Sequence, residues 1–410
     1  MAPIHYDVAV VGLGALGSAA AYHATKRGAK VIAFEQFELG HVRGASHDTS
    51  RIVRTSYEAP EYVALAKSSY RDWRQLEEDS KQKLLTITGG VVLLPKDGPG
   101  VPAPDEWTNS IPTARQWAKG LDANNLPYEF LDHEQANKRW PQFNLKEDMA
   151  AIYSADTGIV HAAKSVTAMQ FLARLRGAEM KEGCKVHRVI PKASADELSS
   201  SSGVTIETSQ GTFSASKVVL AADGWVNELL EPLGLTIPLK VTQEQVTYFR
   251  PTNPRAYEPD RFPVWIWVGK DWYYGFPAYG EPTIKAGHDN AEQYTTAWAR
   301  SFIPSQEKID GLDSAMQYFM PDKGREQMRT VTCLYTRTPG RQFVISPIKE
   351  QKDIIVLMGA AHAFKFAPTI GRAAAELAID GETKEDISKF SLDTIVKPFQ
   401  ARTTAGQSRL

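Results

Sequence analysis

The 410-residue sequence predicts an α/β fold of two domains, a Rossmann-type dinucleotide-binding domain and a second domain on a mixed, largely antiparallel sheet. Three observations carry this reading. An apolar, β-branched run, Tyr6-Asp7-Val8-Ala9-Val10-Val11, leads straight into Gly12-Leu13-Gly14-Ala15-Leu16-Gly17. The chain is too long for one hydrophobic core. From 242 to 290 the pattern changes to short, aromatic-rich strands.

The first unit follows in order. The buried strand over 6–12 is succeeded by helix-forming residues Ser18 to Arg27, with Gly28 suited to the position after a helix. A second strand, Lys30 to Phe34, ends on Glu35. Gly12 permits the tight turn, Gly14 lets backbone approach a pyrophosphate, and Gly17 lets helix and strand pack closely. The helix N-terminus offers amides and a positive dipole to phosphates. Glu35 falls 21 residues beyond Gly14, where a carboxylate accepts hydrogen bonds from ribose hydroxyls. The unit indicates a bound dinucleotide and does not by itself separate FAD from NAD.

Bulk properties narrow the partners. Lys+Arg 47 against Asp+Glu 48 leaves a net charge of −1, so no electrostatic argument favours nucleic acid or an anionic membrane. No apolar run approaches a membrane span. His5, Asp7, Gly12 and Gly14 interrupt the N-terminus where a signal peptide needs an unbroken apolar core. Two cysteines, Cys184 and Cys333, exclude a disulfide framework and favour a reducing compartment.

Further along, 61–80 reads as a helix, Thr88 to Leu94 as a strand and 95–105, rich in proline and glycine, as a loop. Val204 to Ile206 and Lys217 to Ala222 read as strands, and Cys184 as a small structural strand residue. The alternating stretches Val246 to Phe249, Trp265 to Val268 and Tyr273 to Phe276 form the antiparallel floor of the second domain. A strand over Ile354 to Met358 precedes a last helix.

Several segments carry a resemblance. The loop Gly44-Ala45-Ser46-His47-Asp48-Thr49-Ser50-Arg51-Ile52-Val53-Arg54 is similar to one in the monomeric sarcosine oxidase family, although alone it reads equally as a basic surface loop. The resemblance implies that Ser50 and Arg51 lie against a flavin and that Arg54 grips a substrate carboxylate, a fitting use of a guanidinium. Cys333, in Thr332-Cys333-Leu334-Tyr335-Thr336, matches the family cysteine that forms a thioether to the flavin 8α carbon; a lone thiol is otherwise a packing residue. The segment Gly359-Ala360-Ala361-His362-Ala363-Phe364-Lys365 resembles a second signature, with Gly359 and His362 at the flavin and Lys365 completing the carboxylate clamp with Arg54. A lysine between two phenylalanines otherwise reads as a snorkelling side chain. The family usually has glycine at the places of Ala361 and Ala363. Lys285 is the implied positive charge assisting oxygen reduction. The family's histidine stands four after that lysine, whereas His288 stands three after; it is the candidate for the amine site and equally an ordinary core or surface histidine. Tyr274 and Tyr335 match tyrosines of the substrate cavity, a position where plain core is the alternative.

The resemblance runs from about residue 5 to 395, and includes Arg139-Trp140-Pro141, Asp156 to Val160 and Ala221-Ala222-Asp223-Gly224-Trp225. It implies an FAD-binding domain over 1–85, 155–230 and 325–400 and a substrate-binding domain over 86–154 and 231–324; the polar residues 401–410 read as a flexible tail. The expected activity is that of a two-domain flavoprotein with FAD held covalently through Cys333. It oxidises a small sarcosine-like amino acid with molecular oxygen, and requires no metal. An L-pipecolate-type or fructosyl amino acid oxidase is the nearest alternative, and an NAD-dependent dehydrogenase or a non-catalytic flavoprotein a more distant one. Ser408-Arg409-Leu410 resembles a peroxisomal address read by an import receptor. The expected location is therefore the peroxisome, otherwise the cytoplasm, and the expected state a monomer.

Overall fold

The protein was analysed as a computed structural model that describes residues 4–107, 110–192, 203–289, 292–324 and 326–398. Ser408-Arg409-Leu410, the expected address, and the rest of the expected tail lie outside the described residues.

Two eight-stranded sheets frame the molecule. In the first, the strands Gln351–Met358, Gly211–Leu220, His5–Val11, Val31–Phe34 and Glu179–Lys181 run parallel, side by side. Val204–Thr208 and Val186–Pro191 extend one half of it in antiparallel fashion, and Val344–Ile348 lies antiparallel on Gln351–Met358. The central strands are apolar throughout because both faces are covered. The helices Ala15–Lys26, Ala162–Leu175 and Ala367–Ile379 pack on one face. Val186, Ile206, Leu229 and Ile237 are among the residues on the other. The helix Ala15–Lys26 is rich in alanine and touches its neighbour almost backbone to backbone. A Cβ on Gly371 would lie 2.3 Å from that of Ala19. That contact fixes where the helix begins, and hence where its N-terminal glycines stand.

The second sheet runs in the order Glu326–Arg337, Lys240–Arg250, Ile284–Asp289, Trp272–Phe276, Val264–Trp267, Gly90–Pro95, Met149–Ser154, Glu129–Asp132. Its neighbours are antiparallel except Val264–Trp267 and Gly90–Pro95, so the sheet is mixed. The strand Glu326–Arg337 pairs along its length with Lys240–Arg250. A boundary at 325 would group it with the first sheet; its ladder puts it in the second.

Smaller departures have local causes. The strand expected over 88–94 begins only at Gly90, because Gly89 takes a φ of +69, and Leu85–Ile87 just before it is a separate strand. The strand expected to end at Ala222 ends at Leu220, and Asp223 turns the chain with a φ of +46. Leu85–Ile87 joins Gly158–His161 and Ser50–Val53 in a small sheet that carries Arg51 towards the centre. Among the described residues no helix is long and apolar enough to cross a membrane.

Candidate active site

A cavity of about 520 Å³ runs between the first sheet and one face of the second. Strand periodicity decides what that face presents. Trp272, Tyr274 and Phe276 on one strand, Lys285 and Asp289 on the next, and Val331, Cys333 and Tyr335 on the edge strand are alternate residues, and all of them line the cavity. Gly287 lies among them directly across from Tyr274. A Cβ there would stand 2.8 Å from the tyrosine ring, so glycine lets the ring lie flat on the sheet.

At one end the cavity meets the glycine turn. Gly12 has a φ of +90, and a side chain on it would strike the Ala221 carbonyl at 2.5 Å. A Cβ on Gly17 would overlap the Gly12 carbonyl at 1.8 Å, so Gly17 serves helix–strand contact and stays off the cavity wall. Gly14 faces only Ser46, whose hydroxyl accepts the Ala15 N–H at 2.9 Å. Glu35 accepts the Leu13 N–H at 2.9 Å and the Phe37 N–H at 3.1 Å. Burial would raise its carboxyl, but bonds from His41 and these amides hold it below the usual carboxylate range. Phe37 and Trp225 pack edge to face beside it with centroids 5.6 Å apart. A glycine cradle, an ionised acid beyond the second strand and an aromatic pair fit the nucleotide half of FAD.

Cys184 belongs to this end and not to a strand. It sits in the bend between Glu179–Lys181 and Val186–Pro191, donates its N–H to the Glu35 carbonyl at 2.8 Å and lines the cavity.

Towards the second sheet the charges interlock. Lys285 is buried, and its Nζ donates to Asp48 Oδ2 at 2.7 Å, to the Ser50 carbonyl at 2.9 Å and to Ser50 Oγ at 3.0 Å. Burial pulls this ammonium down to about 8, and the Asp48 charge is what keeps it from falling further. Burial would raise Asp48, yet the Lys285 and Arg51 charges hold its carboxyl well below the carboxylate range. Arg51 donates to the carbonyls of Ser50, Ala45 and His47 at 2.8–2.9 Å, tying the loop to itself. Cys333 is buried close by. Burial pushes its thiol up to about 11, against the pull of Arg51.

The other two cations differ. Arg54 stacks on Tyr57 at 4.6 Å and Trp117 at 5.5 Å, and its Nη1 is buried without a hydrogen-bond partner. Lys365 Nζ donates to the His362 carbonyl at 2.7 Å, and neither cation has a carboxylate partner among the described residues. Burial and the Arg54 charge lower the Lys365 ammonium, opposed by the Tyr57 phenol. The Tyr57 hydroxyl is buried beside both cations; burial would raise its phenol, but the Lys365 and Arg54 groups bring it below the ordinary value. Tyr274 and Tyr335 bring their hydroxyls to 3.4 Å from each other, and burial raises both phenols.

The loop before the last helix is bent by two alanines. Ala360 and Ala361 have φ of +45 and +72, a conformation that costs a non-glycine residue about 1–2 kcal/mol. The glycine expected at 361 would relieve one of these, whereas Ala363 lies in a helical turn and shows no such strain. His362 Nε2 lies 3.0 Å from the Arg341 carbonyl, so it is the protonated nitrogen of a neutral ring. Burial, with the Arg341 and Lys365 charges, keeps that ring's pKa far below the ordinary value.

The cavity thus gathers Gly12, Gly14, Glu35, Ser50, Arg51, Arg54, Tyr274, Lys285, Cys333, Tyr335, Gly359, His362 and Lys365. His288 is not among them. It alternates with Lys285 and Asp289, so its ring turns to the other face, against Tyr273 at 4.9 Å and 3.5 Å from Asp271. The residue four after Lys285, where the family's histidine falls, is Asp289, which faces the cavity and pairs with Arg341 at 2.8 Å. Asp48, Tyr57, Asp289 and Arg341 are the functional candidates that sequence reading passed over. Strand alternation from Lys285 would have found Asp289, and the spacing Arg54-x-x-Tyr57 hints at Tyr57.

Known proteins resemble this chain over nearly its whole length. A monomeric sarcosine oxidase of Streptomyces avermitilis is 32% identical over 94% of this chain and 96% of its own length. A peroxisomal sarcosine oxidase of Homo sapiens is 28% identical over 94% of this chain and 95% of its own. Among solved structures, NikD, an unusual amino acid oxidase essential for nikkomycin biosynthesis, superposes with a TM-score of 0.80 at 26% identity, covering 94% of this chain and 97% of its own. The FAD dependent oxidoreductase family matches residues 7–377, and the chain belongs to that family.

Proposed function

We propose that the chain is an FAD-dependent oxidase of a small secondary amino acid of the sarcosine type. It converts the amine to an imine that water cleaves to an aldehyde and a primary amine. One observation carries the proposal: Arg54 and Lys365 face one cavity without a carboxylate partner among the described residues. Cations so withdrawn from water call for an anion. A substrate carboxylate supplies it, with the Tyr57 hydroxyl between the two as a third donor. The relatives named sarcosine oxidase and the amino acid oxidase NikD support the same substrate class.

The bound flavin would supply the hydride acceptor for the C–H bond beside nitrogen and pass the electron pair to molecular oxygen, giving hydrogen peroxide. Arg54 and Lys365 orient the amino acid, and their charges favour the neutral amine that hydride removal needs. Lys285, held by Asp48, offers a positive charge for oxygen reduction. Cys333 is the candidate for the thioether to the flavin 8α carbon. A peroxide-forming enzyme suits the peroxisome, and the human relative's name and the Ser408-Arg409-Leu410 ending support that location with an import receptor as partner. The name of the Streptomyces relative supports a monomer.

Three outcomes test the reading. Losing one charged partner of a carboxylate costs about 2–4 kcal/mol, about 30- to 1000-fold. Arg54→Ala or Lys365→Ala should lower kcat/KM for the amino acid by that order, and much less for an amine lacking a carboxylate. Equal losses on both, at unchanged flavin content, would show that these cations do not read the carboxylate. Intact-mass measurement of denatured protein should show an added FAD that Cys333→Ala removes; retention there, or loss in Cys184→Ala, rejects the attachment. Finally, Asp48 raises the Lys285 pKa, so Asp48→Asn should drop it below about 8 and leave less ammonium at a given alkaline pH. The alkaline limb of the rate of reoxidation by oxygen should then move to lower pH. A limb that stays in place contradicts the role of Lys285.

A further inference from the structure

Asp289 and Arg341 form an ion pair on the cavity wall that is not part of the Arg54–Lys365 clamp. Both line the cavity, and their side chains keep 17% and 18% exposure, so a ligand reaches them. The pairing is two-pronged, with Arg341 Nη1 at 2.8 Å from one Asp289 oxygen and Nη2 at 3.3 Å from the other. Asp289 ends the strand that also carries Lys285, across from Trp272. It occupies the position, four after Lys285, where the resembled family has a histidine. Arg341 is held in a conformation that side chains rarely adopt, with φ +52, and its carbonyl is bonded by His362. His362 in turn gives its own carbonyl to Lys365 Nζ. The pair is therefore wired to the clamp through one histidine, and Asp289 lies near enough to Tyr335 to raise its phenol. Strained backbone maintained by such bonds is a mark of functional sites.

We propose that the Asp289–Arg341 pair is a selectivity element. On this view it binds a hydroxyl group on the substrate beyond its carboxylate and amine, and the enzyme prefers hydroxylated secondary amino acids over alkyl ones. This rests on the oxidase reading above. A hydroxyl donates one bond and accepts others, and a carboxylate beside a guanidinium offers acceptor and donors side by side. A methyl group in the same place gains neither bond and leaves a charged pair facing apolar surface. Discrimination of this type, built on hydrogen-bonding groups in a pocket, is stronger than discrimination by the size of an apolar slot.

The test uses two isosteric pairs on the flavin-loaded enzyme. They are N-(2-hydroxyethyl)glycine with N-propylglycine, and N-methylserine with N-methyl-2-aminobutyrate. In at least one pair kcat/KM should favour the hydroxylated member about tenfold or more, the order of one hydrogen bond to a charged group. Most of the difference should lie in KM. In Asp289→Ala and in Asp289→His that ratio should fall to near one. The ratio is internal to each variant, so a partial loss of folded protein does not affect it. No preference in the wild type, or a preference that survives both substitutions, overturns the proposal while leaving the oxidase reading in place. No oxidation of any of the four compounds, with flavin bound, overturns both.

Discussion

Asp48 accepts Lys285 Nζ at 2.7 Å inside the protein, and that ion pair decides what the other charges around the cavity are left to do. Two charges taken out of water must find each other or neutralise, and breaking such a pair costs about 3–5 kcal/mol. Asp48 is therefore committed to Lys285, with Tyr248 donating to its second oxygen at 2.6 Å. Arg51, at 3.9 Å from the same carboxylate, spends its guanidinium on three backbone carbonyls of its own loop. Asp289 is committed to Arg341. What remains is Arg54 and Lys365, from segments more than 300 residues apart, with Tyr57 between their fields. The cavity is positive at this place because its carboxylates are used elsewhere.

Backbone geometry supports this division of charge. Asp48, Asp223, Arg341, Ala360 and Ala361 all have positive φ, and all lie on or next to the cavity wall. Two of them are held by bonds nearby: Asp48 by those to Lys285 and Tyr248, Arg341 by those to Asp289 and His362. The frame that bears this strain is the pair of sheets, anchored by the close contact of Gly371 with Ala19. Trp73, fully buried, donates its indole N–H to the Lys365 carbonyl at 2.8 Å and so ties the clamp to the helix Pro60–Ser80.

The dinucleotide unit was legible because its chemistry is local. Gly12, Gly14, Gly17 and Glu35 are set by a strand, a turn and a helix that follow one another in sequence. Alternation also made the second sheet legible, though not the parallel pairing of Val264–Trp267 with Gly90–Pro95, which joins segments far apart. The two readings open for His288, amine site or ordinary histidine, are separated by the strand's period, which residue type alone does not convey. That period turns position 289 to the cavity and position 288 away. Arg341 was invisible because nothing in its neighbourhood announces a site; its partner Asp289 lies 52 residues earlier. Asp48 does not stand out from the polar loop around it, since its value depends on Lys285, 237 residues later.

The central claim is that Arg54, Lys365 and Tyr57 form an anion site beside the flavin that reads a carboxylate. It is tested most directly by titrating flavin-loaded enzyme with propionate and with propionamide, which share a shape and differ in charge, while following the visible absorbance of the flavin. The account predicts a saturable perturbation by propionate at a Kd lower than that of propionamide by about tenfold or more, the order expected for a charged bond against a neutral one. Equal affinities, or a perturbation by the amide alone, would contradict it.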